Sequence, residues 1–117
     1  MGKAETKVSD LIRLELAKRG CKVFRSQVGL FYTMYGEKIH VGVKGESDLR
    51  GHRPDGRAFY LECKTPIGKA SKEQLKFIPA MQESGALAGF ANSVEQALDI
   101  VFPENKKYYF YSYFFML

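Results

Sequence analysis

The stretch from Asp48 to Thr65 constrains the fold of this chain more than any other. Two strand-forming runs, Asp48 to His52 and Arg57 to Thr65, flank Pro54-Asp55-Gly56, a tripeptide with strong turn chemistry. Runs joined so closely predict an antiparallel hairpin. In the second run alternate side chains share a face, so Phe59, Leu61 and Cys63 point one way. Tyr60, Glu62 and Lys64 point the other way.

A carboxylate and an ammonium on one face of an otherwise apolar strand are costly unless paired or solvated. Phosphodiester hydrolysis has a use for them: the carboxylate binds a divalent cation, and the lysine stabilises charge or orients the attacking water. One carboxylate rarely holds a catalytic Mg²⁺, and Asp48, at the start of the partner strand, supplies a second. Gly45 just before it allows a tight backbone bend. Two plainer readings stay open on the residues alone. Glu62 and Lys64 form an ion pair on a solvated sheet face, or Asp48 is a turn residue.

The rest of the chain reads as alternating helices and strands. A helix from Lys3 to Arg19, ended by Gly20, turns Val8, Leu11, Ile12 and Leu16 to the core. At 3.6 residues per turn Glu5 falls near the line of Ile12 and Leu16, an odd place for a carboxylate. CKVFRSQV, LFYTMY and KIHVGV read as strands. Ser71 and Gln74 make a capping-box pattern for a helix toward Ser84, closed by Gly85, with Pro79 expected to kink it. LAGFAN is a short buried strand, SVEQALDIV a helix capped by Ser93, and the tail KKYYFYSYFFML has strand propensity. The order implies an α/β domain with a mixed sheet flanked by helices.

The 117 residues fit one domain, and 45% hydrophobic content is enough for a core. Lys and Arg outnumber Asp and Glu by 18 to 13, an excess that suits a polyanionic partner without requiring one. Cys21 and Cys63 sit in apolar or strand-like runs and read as reduced core thiols of a cytoplasmic protein. His40 and His52 form no metal-spaced pair with each other or with a cysteine. No apolar run has the length and composition of a signal peptide or a membrane span.

Gly45-Glu46-Ser47-Asp48, then Glu62-Cys63-Lys64, then Gln74 opening a helix, resembles the PD-(D/E)XK nuclease superfamily. Within it the sequence is most similar to the VRR-NUC branch with its small stand-alone phage members. Glu5, Arg25, Gly29, Gly68 and Ser71 extend the match over residues 5–95. Ser47 stands where the family often has Pro.

The resemblance implies a restriction-endonuclease-like fold and an endonuclease dependent on Mg²⁺ or Mn²⁺. Asp48 and Glu62 would be metal ligands with the Cys63 backbone carbonyl, Glu5 would complete the shell, Lys64 would be the catalytic lysine, and Gln74 would support the site. Arg25, Lys69, Ser71 and Lys72 are candidates for the DNA backbone, the last three around a helix N-terminus. The chain has little room for a base-reading insertion, so branched or junction DNA is the expected substrate. The resemblance to junction-cutting members, with the aromatic tail, points to a homodimer. The alternative is a DNA-binding module of the same fold that is catalytically weak or inactive.

Overall fold

The computed structural model describes residues 3–26, 29–42, 45–64 and 69–105, for residues 3–7 and Gly29 the backbone alone. Lys44, Gly68 and the aromatic tail therefore lie outside the described residues. In order of sequence the elements are α1 (Lys3–Lys18), β1 (Lys22–Arg25), β2 (Gly29–Tyr32), β3 (Lys38–Val41), β4 (Leu49–His52), β5 (Ala58–Cys63), α2 (Lys72–Glu83), β6 (Leu87–Ala91) and α3 (Val94–Val101).

Four strands make a mixed sheet in the order β1-β4-β5-β6, while β2 and β3 form a separate hairpin. The Pro54-Asp55-Gly56 turn closes as its chemistry predicts: the Arg53 N–H donates to the Arg57 carbonyl at 2.9 Å and the Arg57 N–H to Asp55 Oδ1 at 3.1 Å. It sets β4 and β5 antiparallel with Leu49 opposite Leu61. β5 then runs parallel to β6. A parallel neighbour cannot be reached by a tight turn, and α2 serves as the crossover.

The faces of β5 separate as alternation requires. Phe59, Leu61 and Cys63 are fully buried with Leu49, Ile12 and Leu16 of α1, and Ala97 and Val101 of α3. α2 packs on the opposite face, where Phe77 meets Tyr60 edge-on with ring centroids 5.6 Å apart. The result is an α/β/α arrangement with the core between the sheet and the α1–α3 layer. Both cysteines are buried. No helix among the described residues is long and apolar enough to cross a membrane.

Several local expectations need correction. Leu11 is exposed rather than core-facing, because Val8, Ile12 and Leu16 already form the inward stripe at steps of four. Among the described residues of CKVFRSQV, pairing runs over Lys22 to Arg25, Gln27 and Val28 lying outside the description. LFYTMY does not stay extended to Tyr35: the Thr33 hydroxyl accepts from the N–H groups of Tyr35 and Glu37 and turns the chain after Tyr32. The expected run of α2 toward Ser84 is met, the helix continuing through Pro79 to Glu83.

Candidate active site

Three strand ends meet at one edge of the sheet: the exit of β1, the entry of β4 and the exit of β5. The Ser26 N–H donates to the Asp48 carbonyl at 2.8 Å, tying β1 to the approach of β4. Gly45, with φ +88, makes the preceding bend. A Cβ there would lie 2.6 Å from the Glu73 backbone, so glycine also lets this loop press against the first turn of α2. Ser47, at the position where the resembling family often has Pro, is buried and donates to the Leu49 carbonyl at 2.9 Å, closing the turn into β4.

Asp48 is locked in orientation, since its Oδ2 accepts the Cys63 N–H at 2.9 Å. This bond places its carboxylate beside Glu62 on the adjacent strand. Glu62 is only 1% exposed, and its Oε2 has no hydrogen-bond partner. The Lys64 ammonium lies 3.5 Å from Glu62 Oε1. The Lys64 N–H donates to the Ala91 carbonyl at 2.9 Å, extending the β5–β6 ladder past the end of β5 and steadying the lysine. Burial, then the charge and hydrogen-bond contact of Asp48, push Glu62 up from 4.5 to about 8, against the opposing pull of Lys64. The solvated ion pair left open by the sequence is thereby excluded. Two carboxylates thus face each other, one of them buried with an oxygen that has no hydrogen-bond partner.

An open pocket of about 250 Å³ leads to this pair, lined by Ser26, Gly45, Glu46, Ser47, Asp48, Ser71 and Gln74. Asp48 is the member of the pair that lines this pocket. Ser71 and Gln74 form a full capping box: Ser71 Oγ accepts the Gln74 N–H at 3.2 Å, and Gln74 Oε1 accepts the Ser71 N–H at 2.9 Å. Gln74 thus caps α2 and lines the pocket at once. Lys69 and Lys72 are exposed on either side of this cap.

Other predicted residues stand differently. Arg25 donates to Ser9 Oγ at 2.8 Å and Asp10 Oδ1 at 3.0 Å, joining β1 to α1. Glu5 belongs to α1 by its backbone, and its side chain lies outside the description. Among the described residues no group of three or more His, Cys, Asp or Glu side chains converges as a metal cage, so Asp48 and Glu62 stand as a pair. Sequence reasoning gave no role to Ser26 or Glu46, whose side chains meet at 3.2 Å on the pocket wall. Glu46 also approaches Arg50 at 3.6 Å. Its place within the Gly45–Asp48 segment was the available signal.

The described residues thus form a mixed sheet with two carboxylates at adjoining strand ends and helices on both faces. The backbone matches a solved structure described as "VRR_NUC domain" with a TM-score of 0.61. The match covers 82% of this chain and 91% of that one at 20% identity, so the likeness is one of fold. No protein-family model and no curated protein matches the sequence.

Proposed function

We propose that this chain is a VRR-NUC-type endonuclease that hydrolyses DNA phosphodiester bonds with Mg²⁺ or Mn²⁺ and prefers branched or junction substrates. The observation that carries this reading is the buried Glu62 carboxylate, with its orphaned oxygen, beside Asp48 and 3.5 Å from Lys64. Hard oxygen donors in a site that resists ionisation fit a divalent cation, which would neutralise both carboxylates. Asp48 and Glu62 would hold it, helped by the Cys63 carbonyl and, from α1, by Glu5. When bound, the cation supplies charge shielding at the phosphate and a lower pKa for water.

The protein's own contribution is positioning. The Cys63 N–H fixes Asp48, and burial fixes Glu62. Lys64, its backbone held by pairing to Ala91, would set a positive charge near the phosphate as it gains negative charge in the transition state. The capped start of α2, with Lys69 and Lys72, offers N–H groups and ammonium groups to the DNA backbone beside the pocket.

The test is incubation of the purified chain with Mg²⁺, Mn²⁺ or EDTA and a panel of four-way, flapped, nicked and linear DNAs. Metal-dependent nicking of branched DNA ahead of linear duplex supports the proposal. Metal-dependent binding of every substrate with no cleavage favours the inactive module of the same fold.

A further inference from the structure

On the face of the main sheet that carries Glu62, α2 packs over β5 and β6 and leaves the β1–β4 half open. Phe24 of β1 stands opposite Arg50 of β4, and Arg50 opposite Tyr60 of β5, so the three side chains form a row across the strands. The Arg50 guanidinium lies over the Phe24 ring, 5.7 Å from its centroid. Phe24 is nevertheless 51% exposed and the Arg50 side chain 52%. The neighbouring row, Lys22, His52 and Ala58, adds an exposed lysine and imidazole and no acid. This strip is continuous with the site. Glu62 follows Tyr60 by two positions on the same face, a step of about 7 Å along the strand. Arg50 also approaches Glu46 on the pocket wall at 3.6 Å, an exposed contact that a phosphate can displace at little cost.

We infer that this strip holds an unpaired DNA strand beside the site, one base stacked on Phe24 next to the Arg50 guanidinium and the adjoining phosphate paired with Lys22. Charge and shape together select this occupant. Cations without an acid among them suit a polyanion, and a half-exposed ring flanked by cations suits the flat face of a base. A duplex keeps those faces inside its own stack, whereas a single strand offers them. Stacking of this kind accepts any base, because every base has such a face. The inference rests on the nuclease reading for the identity of the polymer and deepens it: among branched DNAs, the strip favours flaps and splayed arms over fully paired junctions.

The test is fluorescence anisotropy of the full chain in Ca²⁺ with oligo-dT of about twelve nucleotides and an abasic strand of the same length and charge. Wild type should bind oligo-dT roughly tenfold more tightly than the abasic strand, and Phe24→Ala should bring the two within about twofold while Phe24→Tyr keeps the preference. The same Phe24→Ala change should weaken binding of a flapped duplex and leave a fully paired one unaltered. Far-UV circular dichroism checks the fold, and if Phe24→Ala loses it, Arg50→Gln, read in the same way, decides. A wild type that binds the abasic strand as tightly as oligo-dT overturns the inference, and so does a folded Phe24→Ala with the preference intact. Equal weakening of flapped and fully paired DNA would make Phe24 a contact to the sugar-phosphate backbone and overturn it too. Cleavage separates this outcome from the nuclease reading. A chain that cuts no DNA with any metal, yet prefers oligo-dT through Phe24, defeats the nuclease and leaves the strip standing. A chain that nicks flapped DNA while showing no such preference defeats the strip alone.

Discussion

Replacing Glu62 by Gln removes a charge from a site that resists charge, and the consequence for stability depends on pH. In the unfolded chain this carboxyl ionises near 4.5, whereas in the fold it does so at about 8. The folded state therefore favours the protonated acid, and the stability that this preference confers is complete below about pH 4.5. It declines as pH rises and is exhausted above about pH 8. The difference in midpoints corresponds to about 5 kcal/mol between those limits, and about 3 kcal/mol of it is already lost at pH 7. Gln takes the same volume without ionising but leaves a buried amide imperfectly partnered, at a cost of about 1–3 kcal/mol. In EDTA at pH 9 the variant should thus be more stable than wild type by about 2–4 kcal/mol, and at pH 4.5 less stable by about 1–3 kcal/mol. Urea unfolding across this range, read as the difference between the two proteins, cancels the titrating groups that do not touch Glu62. Excess Mn²⁺ should restore the wild type, by about 2.7 kcal/mol at a hundred times its dissociation constant, and leave the variant unmoved. A variant less stable than wild type at pH 9 without metal, or a difference independent of pH, would refute the electrostatic account of the site.

Further expectations follow from the scaffold. Gly45→Ala sets a side chain at φ +88 against the Glu73 backbone and should cost about 2–4 kcal/mol by thermal or urea unfolding, with loss of the pocket. Ser71→Ala removes one half of the capping box and should lower stability by about 1 kcal/mol, with local deprotection of α2 in hydrogen exchange. DNA affinity should fall steeply with salt and vary little among sequences of one branched structure. Lys69→Ala and Lys72→Ala should each reduce the slope of log affinity on log salt by about one; an unchanged slope in both would remove them from the interface.

The parts of this molecule that were legible in its sequence are those fixed by local chemistry. The alternation through Phe59–Lys64 separated the core face from the site face because a strand has no other way to distribute its side chains. Ser71 and Gln74 announced a helix start because a capping box is closed within four residues. The Asp48–Glu62 pairing was legible through the short turn between their strands, which limits the register. Long-range partners were not legible. That Arg25 would be engaged by Ser9 and Asp10 depends on α1 lying across β1, which no local pattern encodes. That β2 and β3 would stand apart from the main sheet was equally hidden, since LFY and KIHV read as any strand does. The difference lies in what covers them. The burial of Glu62 to 1%, the decisive property of the site, likewise arises from the packing of α2 and the neighbouring strands, not from its own segment.

In the proposed reaction Asp48, Glu62 and Lys64 act together on a phosphodiester bond. Single-turnover cleavage of a four-way DNA junction in Mg²⁺ or Mn²⁺, by wild type, Asp48→Asn and Lys64→Ala, measures it most directly. Binding of the same junction in Ca²⁺ serves as the control for folding and affinity. The account predicts metal-dependent cleavage by wild type and a loss of at least a hundredfold, near 2.7 kcal/mol, in each variant, with Lys64→Ala still binding the junction. Cleavage by either variant at the wild-type rate would contradict it.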